Sequence, residues 1–125
     1  GGASEVVVVT GAEREMVIRK VIGAVQKYDP DTVEAQEVKA MLEEQESRGV
    51  YGEIRNGPVF AAVLTRAIKG VTRHETVTVM CGQQPLPGSA IWIAPARPGE
   101  RAWQRIDEHF SVALEPVQPG TADSE

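Results

Sequence analysis

The sequence predicts an α/β or α+β fold, a single two- or three-layer sandwich of one small sheet with about three to four packed helices. Two patterns carry that prediction. Apolar residues recur at helical spacing around positions 17–25, 38–42 and 60–71, and β-branched or alternating runs stand before, between and after them. Helices interleaved with strands bury both kinds of apolar face when the helices pack on a sheet. With 125 residues and 42% hydrophobic content, the chain has enough apolar surface for one core. One globular domain is expected over residues 5–115. Residues 1–4, where Gly1-Gly2 reads as a tag remnant, are expected to be a flexible start, and 116–125 a disordered tail.

The elements follow in order. Residues 5–9 are mostly valine without alternation, which suits a strand covered on both faces. Thr10-Gly11-Ala12-Glu13 is a capping-box pattern, and Val17, Ile18, Val21, Ile22 and Val25 behind it share one helix face. That helix is expected to end near Tyr28, because Pro30 disfavours helix at Asp29. A second helix starts there, capped by Asp29 or Asp31. It carries a thin apolar stripe of Val38, Met41 and Leu42 among many glutamates, as a surface helix does, and Gly49 stops it. Residues 50–54 alternate briefly, as a short strand would. Asn56-Gly57-Pro58 opens the best-patterned helix, with Phe60, Val63, Leu64, Ala67, Ile68 and Val71 on one face and Gly70 at its end.

Residues 76–81 alternate, Val77, Val79 and Cys81 against Thr76, Thr78 and Met80, as a half-buried strand. A Pro/Gly loop at 83–88, a strand at 90–94 and a break at 95–99 follow. Residues 100–114 satisfy two templates: Trp103, Ile106, Phe110 and Leu114 fit a helix, and Phe110, Val112 and Leu114 fit a strand.

Composition narrows the function classes. One cysteine excludes an internal disulfide, and two histidines with one cysteine do not make a four-ligand zinc site. A net charge of −5 sets the chain as a whole against nucleic acid and anionic lipid. The longest apolar runs, 6–9 and 59–64, fall far short of a membrane span, and no signal-peptide pattern opens the chain. A cytoplasmic protein without cofactor, metal or membrane partner is therefore expected. Asp29-Pro30-Asp31 and Glu43-Glu44-Gln45-Glu46 fit helix caps and a solvated face better than magnesium ligands.

The candidate chemistry is sparse. His74-Glu75-Thr76-Val77 and His109-Phe110-Ser111-Val112 both read His-x-Ser/Thr-apolar, and in a strand each histidine shares a face with its hydroxyl. Two such strands facing each other would offer an acid, a base and two hydroxyls to a phosphate. This pairing resembles the motif of the 2H phosphoesterases, which implies phosphodiester chemistry by His74, Thr76, His109 and Ser111. The two motifs stand closer together here than in that family, and Glu75 occupies a position that is usually apolar there. Cys81 shares its face with Val77 and Val79, as a small core residue does. Thr10-Gly11 opens a helix without the glycine pattern of a nucleotide-binding loop.

Charge is unevenly spread. Residues 29–47 hold seven carboxylates against Lys39, while 48–73 hold Arg48, Arg55, Arg66, Lys69 and Arg73 against Glu53. Arg97, Arg101 and Arg105 form a second basic group. Trp92 and Trp103 flank a proline-stiffened loop, as aromatic residues at protein interfaces do. The leading expectation is a non-catalytic interaction module, one domain of a larger protein, that binds a protein partner. Its expected binding residues are Trp92, Arg97, Trp103, Arg66, Lys69 and Arg73. Nucleic-acid or phosphate binding through 48–73 is the first alternative, and a metal-independent phosphoesterase using His74 and His109 the second.

Overall fold

A computed structural model describes residues 7–82 and 100–117. The first helix, α1 (Gly11–Tyr28), starts where expected, with Thr10 Oγ1 accepting the Glu13 N–H at 3.1 Å. Val17, Ile18, Val21, Ile22, Ala24, Val25 and Tyr28 form its buried face. Asp29 is extended, as a residue before proline must be, and Asp31 rather than Asp29 caps α2 (Thr32–Ser47). The stripe of α2 is thin but deep: Ala35, Val38 and Leu42 are buried, chiefly against α1. Past its end, Gly49 has φ of 78°, a left-handed conformation open mainly to glycine.

Residues 50–54 form successive tight turns instead of the expected short strand. The Gly52 N–H bonds Gly49 O at 3.1 Å and the Ile54 N–H bonds Tyr51 O at 3.1 Å. The Arg14 guanidinium fixes them from α1, donating to Gly52 O at 2.9 Å and Ile54 O at 2.8 Å. The third helix, α3 (Gly57–Lys69), is capped by Asn56, whose Oδ1 accepts the Val59 N–H. Residues 7–9 lie beside this cap. Their expected strand is reduced to one bridge, Val8 to Asn56, flanked by Val9 N–H to Arg55 O and Gly57 N–H to Val7 O, both 2.8 Å. Val9 is buried while Val8 is 64% exposed, so the segment is covered on one side only.

The sheet holds β1 (Glu75–Cys81), β2 (Ala102–Arg105) and β3 (Phe110–Pro116) in the order β1-β3-β2, each neighbouring pair antiparallel. The two templates for residues 100–114 thus resolve to strands. Asp107 makes the turn between them, its Oδ1 accepting the N–H groups of His109 and Phe110 at 2.8 and 2.9 Å. Such a side-chain-to-backbone turn is favoured over helix for aspartate. β3 extends through Pro116, past the boundary expected at 115. The expected loop at 83–88 and strand at 90–94 lie outside the described residues.

Register sorts the sheet into two faces. Val77, Leu114 and Ala102 form one inner row, with Val79 and Val112 beside it, and all five are buried under α1 and α3. Thr78, Ala113 and Trp103 form an outer row, followed by Met80, Ser111 and Arg105. The result is an α+β arrangement of three helices and a three-stranded antiparallel sheet among the described residues. Phe60 centres its core, edge-on to Tyr51 and Phe110 at 6.1 and 5.9 Å between ring centres. No described helix is long and apolar enough to cross a membrane.

Candidate functional site

Two places in the fold gather polar groups around space or around one another. The first is an open groove of about 790 Å³ between α3 and β1. Pro58, Ala61 and Ala62 of α3, with Met80 of β1, give it an apolar floor, and Arg66 and Lys69 stand at its basic end. Thr65 fixes its width. Its Oγ1 accepts the Val79 N–H at 2.9 Å and lies within donor reach of Val79 O (3.2 Å) and Ala61 O (2.9 Å). Helical spacing puts Pro58, Ala61, Ala62, Thr65, Arg66 and Lys69 on one face. The small side chains at 61 and 62 leave that face hollow, Ala62 exposed and Ala61 nearly covered, and Ala61 belongs with Phe60, Leu64 and Ile68 to the core that α3 supplies.

Arg66 and Lys69 have no ionic partner among the described residues. The expected basic segment therefore divides. Arg48 pairs with Glu44 within α2 at 3.5 Å, and Arg55 and Arg73 lie outside the groove lining. Cys81 also lines the groove. Burial, aided by the charges of Glu13 and Asp107, pushes its thiol up to about 11, so at neutral pH it is a packed thiol and no nucleophile.

The paired histidines are not brought together. The His74 carbonyl accepts the Val117 N–H at one end of the sheet, and the His109 carbonyl accepts the Gly82 N–H at the other. Eight positions along β1 separate these ends, about 26 Å at the usual strand rise. Thr76 faces Glu115 and Ser111 faces Met80. Neighbouring antiparallel strands put the start of one beside the end of the other, so two motifs at strand starts diverge. One phosphate does not reach both, and the two-histidine phosphoesterase centre is not assembled.

Each histidine instead joins carboxylates. His109 Nδ1 lies 2.9 Å from Glu13 Oε2, and that bond raises the imidazole above its ordinary value. Glu13 thus turns toward the β2–β3 turn, leaving the capping box half made. Asp107 completes this half-buried group. His74 Nδ1 lies 2.7 Å from Asp31 Oδ2 and 3.6 Å from Glu34 Oε1.

Behind His74 is the second gathering, three carboxyl groups that are nearly inaccessible: Asp29 (2% exposed), Glu34 (4%) and Glu75 (1%). Burial opposes ionisation of Glu34, yet the backbone N–H groups of Arg73 and His74, at 2.7 and 3.0 Å, hold it below its ordinary range. Burial pushes Asp29 up to about 7, helped by a proton shared with Glu34. Burial likewise pushes Glu75 up to about 7, with the charges of Asp29, Glu34 and Glu115 adding to it.

Sequence reasoning missed this group. Glu34 was read with the solvated glutamates of its helix, and Asp29 as a possible cap. The signal was present at Glu75, which period two places on the apolar face of Val77 and Val79.

Of the expected interface residues, Trp92 and Arg97 lie outside the described residues. Trp103 is half-buried on the outer sheet face, with the Arg105 guanidinium 5.8 Å from its ring, and Arg101 pairs with Glu115 at 3.4 Å. No family model matches the chain, and no curated protein or solved structure matches it either.

Proposed function

We propose that this chain is a non-catalytic interaction module whose α3–β1 groove receives an extended, acidic segment of a partner protein. The carrying observation is the groove itself, an apolar floor ending in two cations that the described residues leave unpaired. Its length supports an extended peptide. Pro58 to Lys69 spans eleven helical steps, about 17 Å at the helical rise, which accommodates roughly five residues of strand. Small apolar side chains would settle against Ala61, Ala62 and Met80, and carboxylates would meet Arg66 and Lys69.

Nucleic acid fits less well. Single strands are held by bases stacked on aromatic rings, and the groove lining among the described residues has none. A hydrolytic reading is not supported by a thiol that stays protonated or by histidines about 26 Å apart. Within this reading the domain works in the cytoplasm, where its single cysteine stays reduced.

Fluorescence anisotropy tests the proposal with three labelled probes: a peptide of alternating glutamate and valine, its lysine–valine counterpart, and a ten-residue oligothymidine. The Glu–Val peptide should bind, weaken with salt, and lose binding in the Arg66→Glu/Lys69→Glu protein. Preference for the oligothymidine, or binding untouched by the charge reversal, would replace the proposal.

A further inference from the structure

A second recess lies apart from the groove, where α1 passes β2. It is a cleft of about 310 Å³ lined by Met16, Arg19, Lys20, Gly23 and Lys27 of α1 and by Gln104 of β2. Positions 16, 20, 23 and 27 follow one another at helical spacing, with 19 beside them. This row runs next to the buried face of Val17, Val21, Ala24 and Tyr28.

Three features of the cleft have no explanation in the packing of the fold. Its cations are not neutralised: the Arg19 and Lys20 side chains make no ion pair or hydrogen bond among the described residues, and Lys27 has only the Tyr28 ring, 5.3 Å from its Nζ. Gly23 sits in the middle of an 18-residue helix, where glycine is less favourable than alanine, yet a Cβ built there meets nothing in the rest of the fold within 4 Å. Packing therefore does not call for glycine at this position. Gln104 pairs with Val112, which pairs with Val79, so its side chain lies on the inner face of the sheet. Its amide nevertheless makes no hydrogen bond among the described residues.

We propose that this cleft binds a small polyhydroxyl molecule carrying a phosphate at each of two ends. Arg19 and Lys20 form one cationic end. Lys27 forms the other, about 10–12 Å along the helix axis at the usual rise. Arginine takes a phosphate bidentately and lysine meets it as a point charge. Between the two ends Gly23 leaves the helix backbone bare, the close approach to a ligand that glycine permits. Gln104 offers one donor group and one acceptor to the hydroxyls. A volume near 310 Å³ is at the small end of ligand sites, which suits a single sugar bisphosphate. The net charge of −5 sets the chain against an anionic lipid surface, so the ligand is a free molecule and not a membrane headgroup.

Calorimetry of the full chain with fructose 1,6-bisphosphate tests the site, with fructose 6-phosphate as the one-phosphate control. One bisphosphate per chain should bind, roughly tenfold or more tighter than the monophosphate. Arg19→Glu/Lys20→Glu should abolish binding, and Lys27→Gln should weaken it about tenfold, toward the monophosphate's affinity. Gly23→Ala separates binding from folding: the protein should melt at a higher temperature while it binds the bisphosphate more weakly. Arg66→Glu/Lys69→Glu, which removes the cations of the α3–β1 groove, should bind as the parent does. Four results would overturn the proposal: no one-to-one binding by the parent chain, equal affinity for the two sugars, binding retained in Arg19→Glu/Lys20→Glu, or preference for vesicles carrying phosphatidylinositol bisphosphate over the free sugar.

Discussion

Replacing Thr65 by valine keeps nearly the same shape and removes one hydroxyl, which is the fastening between α3 and β1. That hydroxyl accepts the Val79 N–H and donates one proton, to Val79 O or Ala61 O. Two bonds disappear, each with a net worth of about 0.5–1.5 kcal/mol, and the part-buried Val79 N–H is left without its partner. The expected loss is therefore about 1–3 kcal/mol. At roughly 4 °C per kcal/mol for a domain of this size, the melting temperature should fall by about 4–12 °C. Urea unfolding gives the free energy, and amide exchange at Val79 gives the locality, since protection should fall there before it falls at Val112 in the middle strand. Thr65→Ser retains the hydroxyl and loses a methyl group, so its cost should stay within about 1 kcal/mol. A valine variant as stable as the parent, with Val79 protection unchanged, would show that Thr65 does not set the groove.

Two further outcomes follow from particular contacts. Gly57 has no room for a side chain: a Cβ there would stand 2.7 Å from Cys81 Sγ and 3.1 Å from Val7 Cβ. Gly57→Ala should therefore cost about 1–3 kcal/mol, and much of that should be recovered in the Cys81→Ala background; strictly additive losses in chemical denaturation would contradict the contact. Asp29 and Glu75 keep their protons up to about 7 when folded and lose them near 4 when unfolded. The folded state thus binds more protons in that window, and stability is lost as pH rises from about 4 through about 7. Urea midpoints should be higher at pH 5.5 than at pH 8, with Glu75→Gln flattening the difference; a rise in stability with pH across this window would refute the burial of these acids.

Much of the fold was legible because it is local. Thr10, Asp31 and Asn56 each cap the helix their position announces, and apolar spacing over 17–25 and 60–68 marks the faces that are buried. β1 was legible from alternation alone. What failed is non-local. The valines of 7–9 look like a central strand, yet they meet only the turn before α3, and sequence does not show which backbone lies opposite. The spacing of Trp103, Ile106, Phe110 and Leu114 matches a helix by coincidence of a four-residue turn between strands. The histidine motifs required a pairing direction, and antiparallel register sent them to opposite ends. Arg66 and Lys69 were visible as charge. The hollow beside them depends on Ala61 and Ala62 facing β1, which no window of sequence contains. Glu75 lies one step before the alternating run of 76–81, on the face of Val77 and Val79, so its burial is legible only when that run is extended back to it.

The groove is tested most directly by amide chemical shifts of the labelled protein during titration with the alternating glutamate–valine peptide. The account predicts shifts concentrated on residues 58–69 of α3 and 78–81 of β1, shrinking as salt is raised and vanishing in the Arg66→Glu/Lys69→Glu protein. Shifts centred instead on Trp103 and Arg105 of the outer sheet face, or a spectrum that does not respond, would contradict it.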